Sequence, residues 1–188
     1  MIATVDGRSF PTSLRTERLT LRLPDEEGAR QEHAMIMESL DHLWPWFSFR
    51  ANRPTLEERQ QLAARQRAEA LEGESATYLV IADDRPVGKV WLNVIDTTAS
   101  VITATVGWWL RVSATGQGYA TEAVRALVEL AFASGVHRLE VHTDPDNAPS
   151  RALAERVGFV LEEIRPDYHD RPDGIRRPEC IYVYRSAD

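Results

Sequence analysis

Residues 114–124, "ATGQGYATEAV", set two glycines one residue apart directly before a run with helical periodicity. Gly costs a helix about 1 kcal/mol relative to Ala, so Gly116 and Gly118 at a helix entrance require a reason. Two readings stand. A helix N-terminus carries four unpaired N–H groups and a partial positive charge, and glycines before it let a phosphate approach them. Alternatively, the glycines only shape a tight strand-to-helix turn. A Walker loop is excluded because no Gly-Lys-Ser/Thr is present. A dinucleotide fingerprint is disfavoured too, since Thr121 stands at the third glycine's place and several elements precede the loop.

Working outward, the helix after the loop carries Val124, Leu127, Val128 and Ala131 at i, i+3, i+4 and i+7, a stripe that must pack on a sheet. Before the loop, "SVITATVGWWLRV" (100–112) reads as a strand with Ile102, Ala104, Val106, Trp108 and Leu110 on one side. Two apolar, β-branched runs, 76–83 and 86–96, precede it as a hairpin. Further back, "ERLTLRL" (17–23) alternates as a half-buried strand ended by Pro24, and Asp25 caps a helix over 25–43. The aromatic knot "WPWFSF" (44–49) follows, then a helix opened by the capping-box pair Thr55 and Glu58 and stopped by Gly73. Downstream come a strand at 137–143, a helix at 147–157 stopped by Gly158, and two strands, "FVLEEI" and "ECIYVYR", around a long loop at 165–178. The order β-α-α-β-β-β-α-β-α-β-β, without repeat or linker, predicts one α/β domain over residues 1–188 behind a polar leader at 1–14. Its core would be a mixed β-sheet flanked by helices.

Composition narrows the function classes. At 188 residues, 43% hydrophobic and 27% charged, the chain can bury a substantial core. A net charge of −7 argues against nucleic-acid partners and suits cationic ones. Cys180 stands alone, so neither an internal disulfide nor a zinc site is expected. With no secretory pattern and no run of about 18 apolar residues, the expectation is a cytoplasmic protein with no membrane partner.

Two segments then resemble one family. "TGQGYATEAVRALVELAF" (115–132) is similar to the acetyl-CoA loop of the GNAT N-acetyltransferases, "NAPSRALAERVGF" (147–159) to their following motif, and "VGWWL" (106–110) to the strand leading into the loop. The likeness covers most of residues 15–185. The opening "RTERLTLRL", with Asn147, Ser150 and Gly158-Phe159, is most similar to the Rim-type ribosomal-protein N-terminal acetyltransferases. The resemblance implies a GNAT fold, acetyl-CoA as co-substrate and no metal; homodimers are common in that family, and the likeness allows one here. It places Gly116, Gln117, Gly118, Tyr119, Ala120 and Thr121 around the pyrophosphate, and the strand end from Leu110 to Val112 along the pantetheine arm. Asn147 and Ser150 would face the distal arm and the sulfur as the catalytic pair. Thr115 departs from the Gln or Arg usual at its position, and because the cradle is mainly backbone this alters affinity without abolishing it.

The chemistry needs a neutral amine, an oxyanion donor and a departing thiolate, whose pKa near about 8.5 makes a strong acid unnecessary. Where many relatives place an acidic Tyr, this chain has Ala154, leaving the Ser150 hydroxyl nearest the sulfur; the alternative for Ser150 is a bond to its own helix backbone. The strand "TATVGWW" supplies no Glu as base, and the remaining candidates are Glu72, Glu74, Asp96, His142, Asp144 and His169, each more commonly a solvated loop charge or strand-end group, with His142 and Asp144 favoured among them by their place at the strand end before Asn147. Trp44, Trp46 and Phe47 either wall the acceptor site or lock a helix connection, and His169, with Tyr168 and Asp170, is placed to cover the acceptor from the other side. An α-amine (pKa about 7.7–8.0) is easier to deprotonate than a lysine amine (about 10.4) by roughly 3.4 kcal/mol, favouring a protein or peptide N-terminus, basic ones above all. The alternatives are a small amine, such as a polyamine, amino acid, antibiotic or toxin, and a non-catalytic acyl-CoA-binding sensor.

Overall fold

A computed structural model describes residues 10–47, 53–96, 101–170 and 176–185, with the side chains of residues 96 and 167–170 outside that description. Eight strands form one mixed sheet: β1 (Ser13–Arg15), β2 (Leu19–Arg22), β3 (Ser75–Ala82), β4 (Arg85–Asp96), β5 (Thr103–Leu110), β6 (Arg138–Thr143), β7 (Val160–Asp170) and β8 (Arg176–Arg185), in the order β1-β2-β3-β4-β5-β6-β8-β7. Every neighbouring pair is antiparallel except β5 and β6.

The helices start where the chain supplies a cap. In α1 (Glu26–Glu38) the Asp25 carboxylate accepts the Gly28 N–H at 2.7 Å, and α3 (Leu56–Glu72) opens with the reciprocal Thr55–Glu58 box and ends on Gly73 at φ 78°. Helix α4 (Tyr119–Ala133) lays Val124, Leu127, Val128 and Ala131 on Tyr78, Leu92, Val106 and Leu139, and α5 (Ala148–Val157) adds Leu153 and Ala154 to the same core. Burying each large aliphatic side chain there contributes roughly 1.5–3 kcal/mol.

The sheet's opposite face meets α1 and α3, where Met35, Ile36 and Leu43 pack on Leu79 and Trp109. Lys89, the chain's only lysine, is buried on this face. Its ammonium donates to Glu32 Oε1 at 2.8 Å and Gln66 Oε1 at 2.9 Å, tying β4 to α1 and α3. Desolvation pushes the Lys89 pKa down, against the attraction of Glu32.

Three expectations are corrected. Residues 10–15 do more than lead: Phe10 is buried with its N–H on Ala70 O at 2.7 Å, and β1 pairs with β2. The helix expected over 25–43 breaks at Ser39, whose φ of −110° and ψ of 14° separate α1 from α2 (Leu40–Leu43), because its hydroxyl is drawn to the Val112 N–H at 3.1 Å. The long loop at 165–178 is mostly strand. Register jumps from Arg165↔Glu179 to His169↔Arg177, so Pro166 falls in a bulge of the outermost strand, where its missing N–H interrupts no central ladder. Among the described residues, no helix is long and apolar enough to cross a membrane.

Candidate active site

The parallel pair β5 and β6 stays together for three residues only, Thr103↔Arg138 to Thr105↔Glu140. Beyond them β5 follows β4 to the Leu110↔Gly88 pair, while β6 follows β8 to Thr143↔Cys180, so the sheet splits. Backbone direction follows from the flanking bonds. Arg111 N donates to Val87 O on the β4 side, whereas Ile102 O accepts from His137 and Arg138 on the β6 side. Strand alternation therefore aims the N–H and C=O groups of Val106, Trp108 and Leu110 into the split.

A cavity of about 1470 Å³ runs through the split, larger than the roughly 300–1,000 Å³ of an ordinary small-molecule site. Since α4 follows β5 and α5 follows β6, both helix N-termini flank the carboxyl ends of the diverging strands, where α/β sheets bind ligands. Gly116 (φ 76°) and Gly118 (φ 81°) both take left-handed backbone, so both shape a tight turn, which is compatible with either reading. A Cβ on Gly116 would meet nothing within 4 Å, so the need there is conformational rather than spatial. No side chain caps α4 at Gly118, so its first N–H groups open on the cavity without a competitor.

Of the residues expected at a cofactor, Leu110, Thr115, Gly116, Gly118, Ala120, Thr121, Asn147 and Ser150 line this one cavity. Gln117, Tyr119 and Val112 stand outside the lining: Gln117 gives its carbonyl to Arg18 at 3.1 Å, Tyr119 lies under the Arg18 guanidinium, and Val112 gives its N–H to Ser39. The Asn147 side chain accepts the Ser150 N–H at 3.2 Å and so caps α5. The Ser150 hydroxyl makes no hydrogen bond among the described residues, contrary to the helix-backbone alternative. Trp46 and Phe47 line the cavity, Trp44 does not, and the His169 side chain lies outside the described residues.

The acceptor side has its own walls. Trp91 lies flat on β5, with its Cζ2 only 2.1 Å from where a Cβ on Gly107 would sit, and Phe47 meets its ring edge-on at 6.3 Å. Sequence reasoning missed this dependence of an aromatic wall on a strand glycine, for which only the Gly107-Trp108-Trp109 run gave a signal.

It also missed Arg18. Its Nε donates to Glu122 Oε2 at 2.7 Å, its N–H to Glu122 Oε1 at 2.8 Å, and Thr16 Oγ1 lies 2.5 Å from the same oxygen. Burial raises the Glu122 pKa, but these hydrogen bonds outweigh it and hold the carboxyl below its ordinary range. A carboxylate in the first turn of α4 would repel an anion at the helix start, and Arg18 neutralises it. No local pattern couples positions 18 and 122.

Of the base candidates, His142 and Asp144 line the cavity; Glu72 and Glu74 do not, and the Asp96 side chain lies outside the described residues. Asp144 is engaged by the Asp146 N–H at 2.8 Å. The His142 Nε2 lies 2.8 Å from Glu140 Oε2 and Nδ1 3.2 Å from Glu179 Oε2. Contact with Glu179, and then with Glu140, raises the imidazole pKa against the opposing effect of burial. Among the described residues no cluster of His, Cys, Asp and Glu is arranged to hold a metal.

Comparison with known proteins gives a consistent answer. The family model for the acetyltransferase (GNAT) domain matches residues 18–160. The chain is 32% identical over 91 residues to the ribosomal-protein-serine acetyltransferase of Escherichia coli K12, covering 48% of this chain and 50% of that protein. It spans about half the length of the curated relatives it matches. RimJ of Mycobacterium smegmatis, solved in complex with a CoA disulfide, superposes with a TM-score of 0.82 at 27% identity over 89% of this chain and 82% of that one. The microcin C7 self-immunity acetyltransferase MccE, solved with acetyl-CoA and AMP, shares the fold at a TM-score of 0.86 and 21% identity, covering 96% and 100% of the two chains. A split sheet, an uncapped glycine-led helix and a family model spanning both thus agree: the chain belongs to the GNAT acetyltransferase family.

Proposed function

We propose that this protein is an acetyl-CoA-dependent N-acetyltransferase whose acceptor is a primary amine, specifically the N-terminal α-amine of a protein or peptide. The observation that carries the reading is the uncapped N-terminus of α4, which opens beside the unpaired edge of β5 in one cavity. That pairing fits acetyl-CoA at both ends: helix N–H groups suit a pyrophosphate, and an unpaired strand edge suits the amides of a pantetheine arm. Bound there, acetyl-CoA supplies an acyl thioester with a fair leaving group. The N–H groups from Gly118 to Thr121 hold the diphosphate, with the Glu122 charge masked by Arg18. The Leu110 N–H stands ready for the thioester oxygen as it gains charge, and the free Ser150 hydroxyl, positioned through the Asn147 cap, donates to the sulfur.

The α-amine is the easier nucleophile on its pKa, and likeness to the ribosomal-protein-serine acetyltransferase supports a protein N-terminus. The aromatic walls Trp46, Phe47 and Trp91 also suit a compact amine, so acceptors must be compared directly. Calorimetry with acetyl-CoA should give saturable heat that Gly118→Val abolishes. Thiol release should then be strong with a free-N-terminus peptide and weak with the same peptide blocked but containing lysine. Retained activity on the blocked peptide overturns the N-terminal acceptor, and transfer confined to polyamines or aminoglycosides replaces it with a small amine.

A further inference from the structure

His142 and Glu179 both line the cavity, and neither has a role in the cofactor cradle. His142 and Glu179 belong to different strands, yet register puts them on one sheet face: Thr105 pairs with Glu140, His142 with Ile181, and Glu179 lies two residues from Ile181. Trp91, paired with Gly107, shares that face, so the aromatic wall and the two polar groups bound the same end of the cavity. Glu179 is 93% removed from solvent, its relative exposure being 7%, and its Oε2 has no hydrogen-bond partner although His142 Nδ1 lies 3.2 Å away.

When the neutral ring carries its proton on Nε2, Nδ1 and Glu179 Oε2 are two close acceptor atoms and form a receptor for an N–H donor. In the neutral ring, a proton on Nε2 given to Glu140 at 2.8 Å leaves the Nδ1 lone pair beside Glu179 Oε2. Resting on the acetyltransferase reading above, we propose that His142 Nδ1 and Glu179 Oε2 together grip the acceptor's ammonium group, and that His142 is the general base that deprotonates it.

The protons balance. The ammonium gives one proton to Nδ1, producing an imidazolium flanked by Glu140 and Glu179 and a neutral amine, and His142 later returns that proton to solvent. The amine nitrogen forms its bond to the acyl carbon, the carbon–sulfur bond breaks, and the second nitrogen proton ends on the departing thiolate. Charged groups near the pair come from three strands, and Arg165 of β7, opposite Glu179 in the register, turns its Nε to Glu163 at 3.0 Å. Glu140, itself bound by Arg138 Nε at 2.7 Å, comes from β6 and Glu179 from β8. Asp144 is held by the Asp146 N–H, while β5 and the turn 44–47 bring no ionisable side chain. The carboxylates lift the imidazole above its ordinary value, which strengthens it as a base.

The test is the pH dependence of kcat/KM with a peptide bearing a free α-amine, for the full chain and for His142→Gln and Glu179→Gln. His142→Gln should lose about 10²–10⁴-fold near pH 7, with the loss shrinking as the amine deprotonates in solution. Glu179→Gln should raise KM for the peptide and move the acid limb to lower pH. Acetyl-CoA binding should stay unchanged in both, and each should melt within about 4 °C of the unmodified chain. Either variant keeping the original pH profile overturns the assignment. A wild-type chain that binds acetyl-CoA but acetylates no amine overturns the acetyltransferase reading itself, and the base with it. Independently of turnover, a His142 Cε1 proton resonance titrating at or below about 6.5 in the unmodified protein also overturns it.

Discussion

Two charge clusters share one face of the sheet, separated by Trp91 and Trp109, which line the cavities beside both. Around Lys89 the charge is cationic in excess: the ammonium and, at 4.0 Å, the Arg59 guanidinium share the single Glu32 carboxylate. Around His142 the excess is anionic, with two carboxylates against one imidazole and Arg138 turned to Glu140 and Glu162. Lys89 and Glu32 side chains are only 4% and 3% exposed, against 26% for His142. The difference teaches that burial alone does not mark a site. A cluster closed off between helices and sheet holds the two together, whereas one left anionic at a cavity wall has affinity to spare for a cation.

The sharpest way to break this contrast is Lys89→Met. It strands the buried Glu32 carboxylate, and urea unfolding should show a loss of about 3–5 kcal/mol, most of it recovered when Glu32→Leu is added. His142→Gln, at a partly exposed site, should cost no more than about 1 kcal/mol in the same assay.

Gly107→Val tests the partition between the clusters. Its side chain must displace the Trp91 ring, so unfolding should show a loss of about 1–3 kcal/mol, with quenching of the indole altered in the native state.

The smallest effect is a pair of opposed pH slopes. With its folded pKa raised, His142 contributes stability that is complete below the unfolded value near 6.5 and is lost as pH climbs through the folded one. Glu162, held down to about 2 by Arg138 and then Arg185, does the reverse: its share is present above 4.5 and lost as pH falls toward 2. Denaturation midpoints should therefore fall off on both sides of a plateau, and His142→Gln should flatten only the alkaline side.

Periodicity and capping signals were legible wherever one residue sufficed. Asp25, Thr55 with Glu58, Gly73 and Gly158 each end or begin a helix through contacts within four residues, and all four act as the sequence predicts. What stayed hidden was long-range. Ser39 breaks a helix for the sake of Val112, Arg18 serves Glu122, and the tract after Arg165 reads as loop because its strand character comes from the partner β8. The glycine-led start of α4 was visible because its signal is local. Glu179 was not: an acidic residue opening the strand "ECIYVYR" is unremarkable until the fold brings His142 beside it.

The three-residue splice between β5 and β6 has a mechanical consequence. Five strands stand on one side of it and three on the other, so force or thermal strain that pries the halves apart concentrates on Thr103–Thr105. A long ligand lying in the gap adds rungs the polypeptide omits, and stiffness across the middle of the molecule becomes a function of how much of that ligand its surroundings provide.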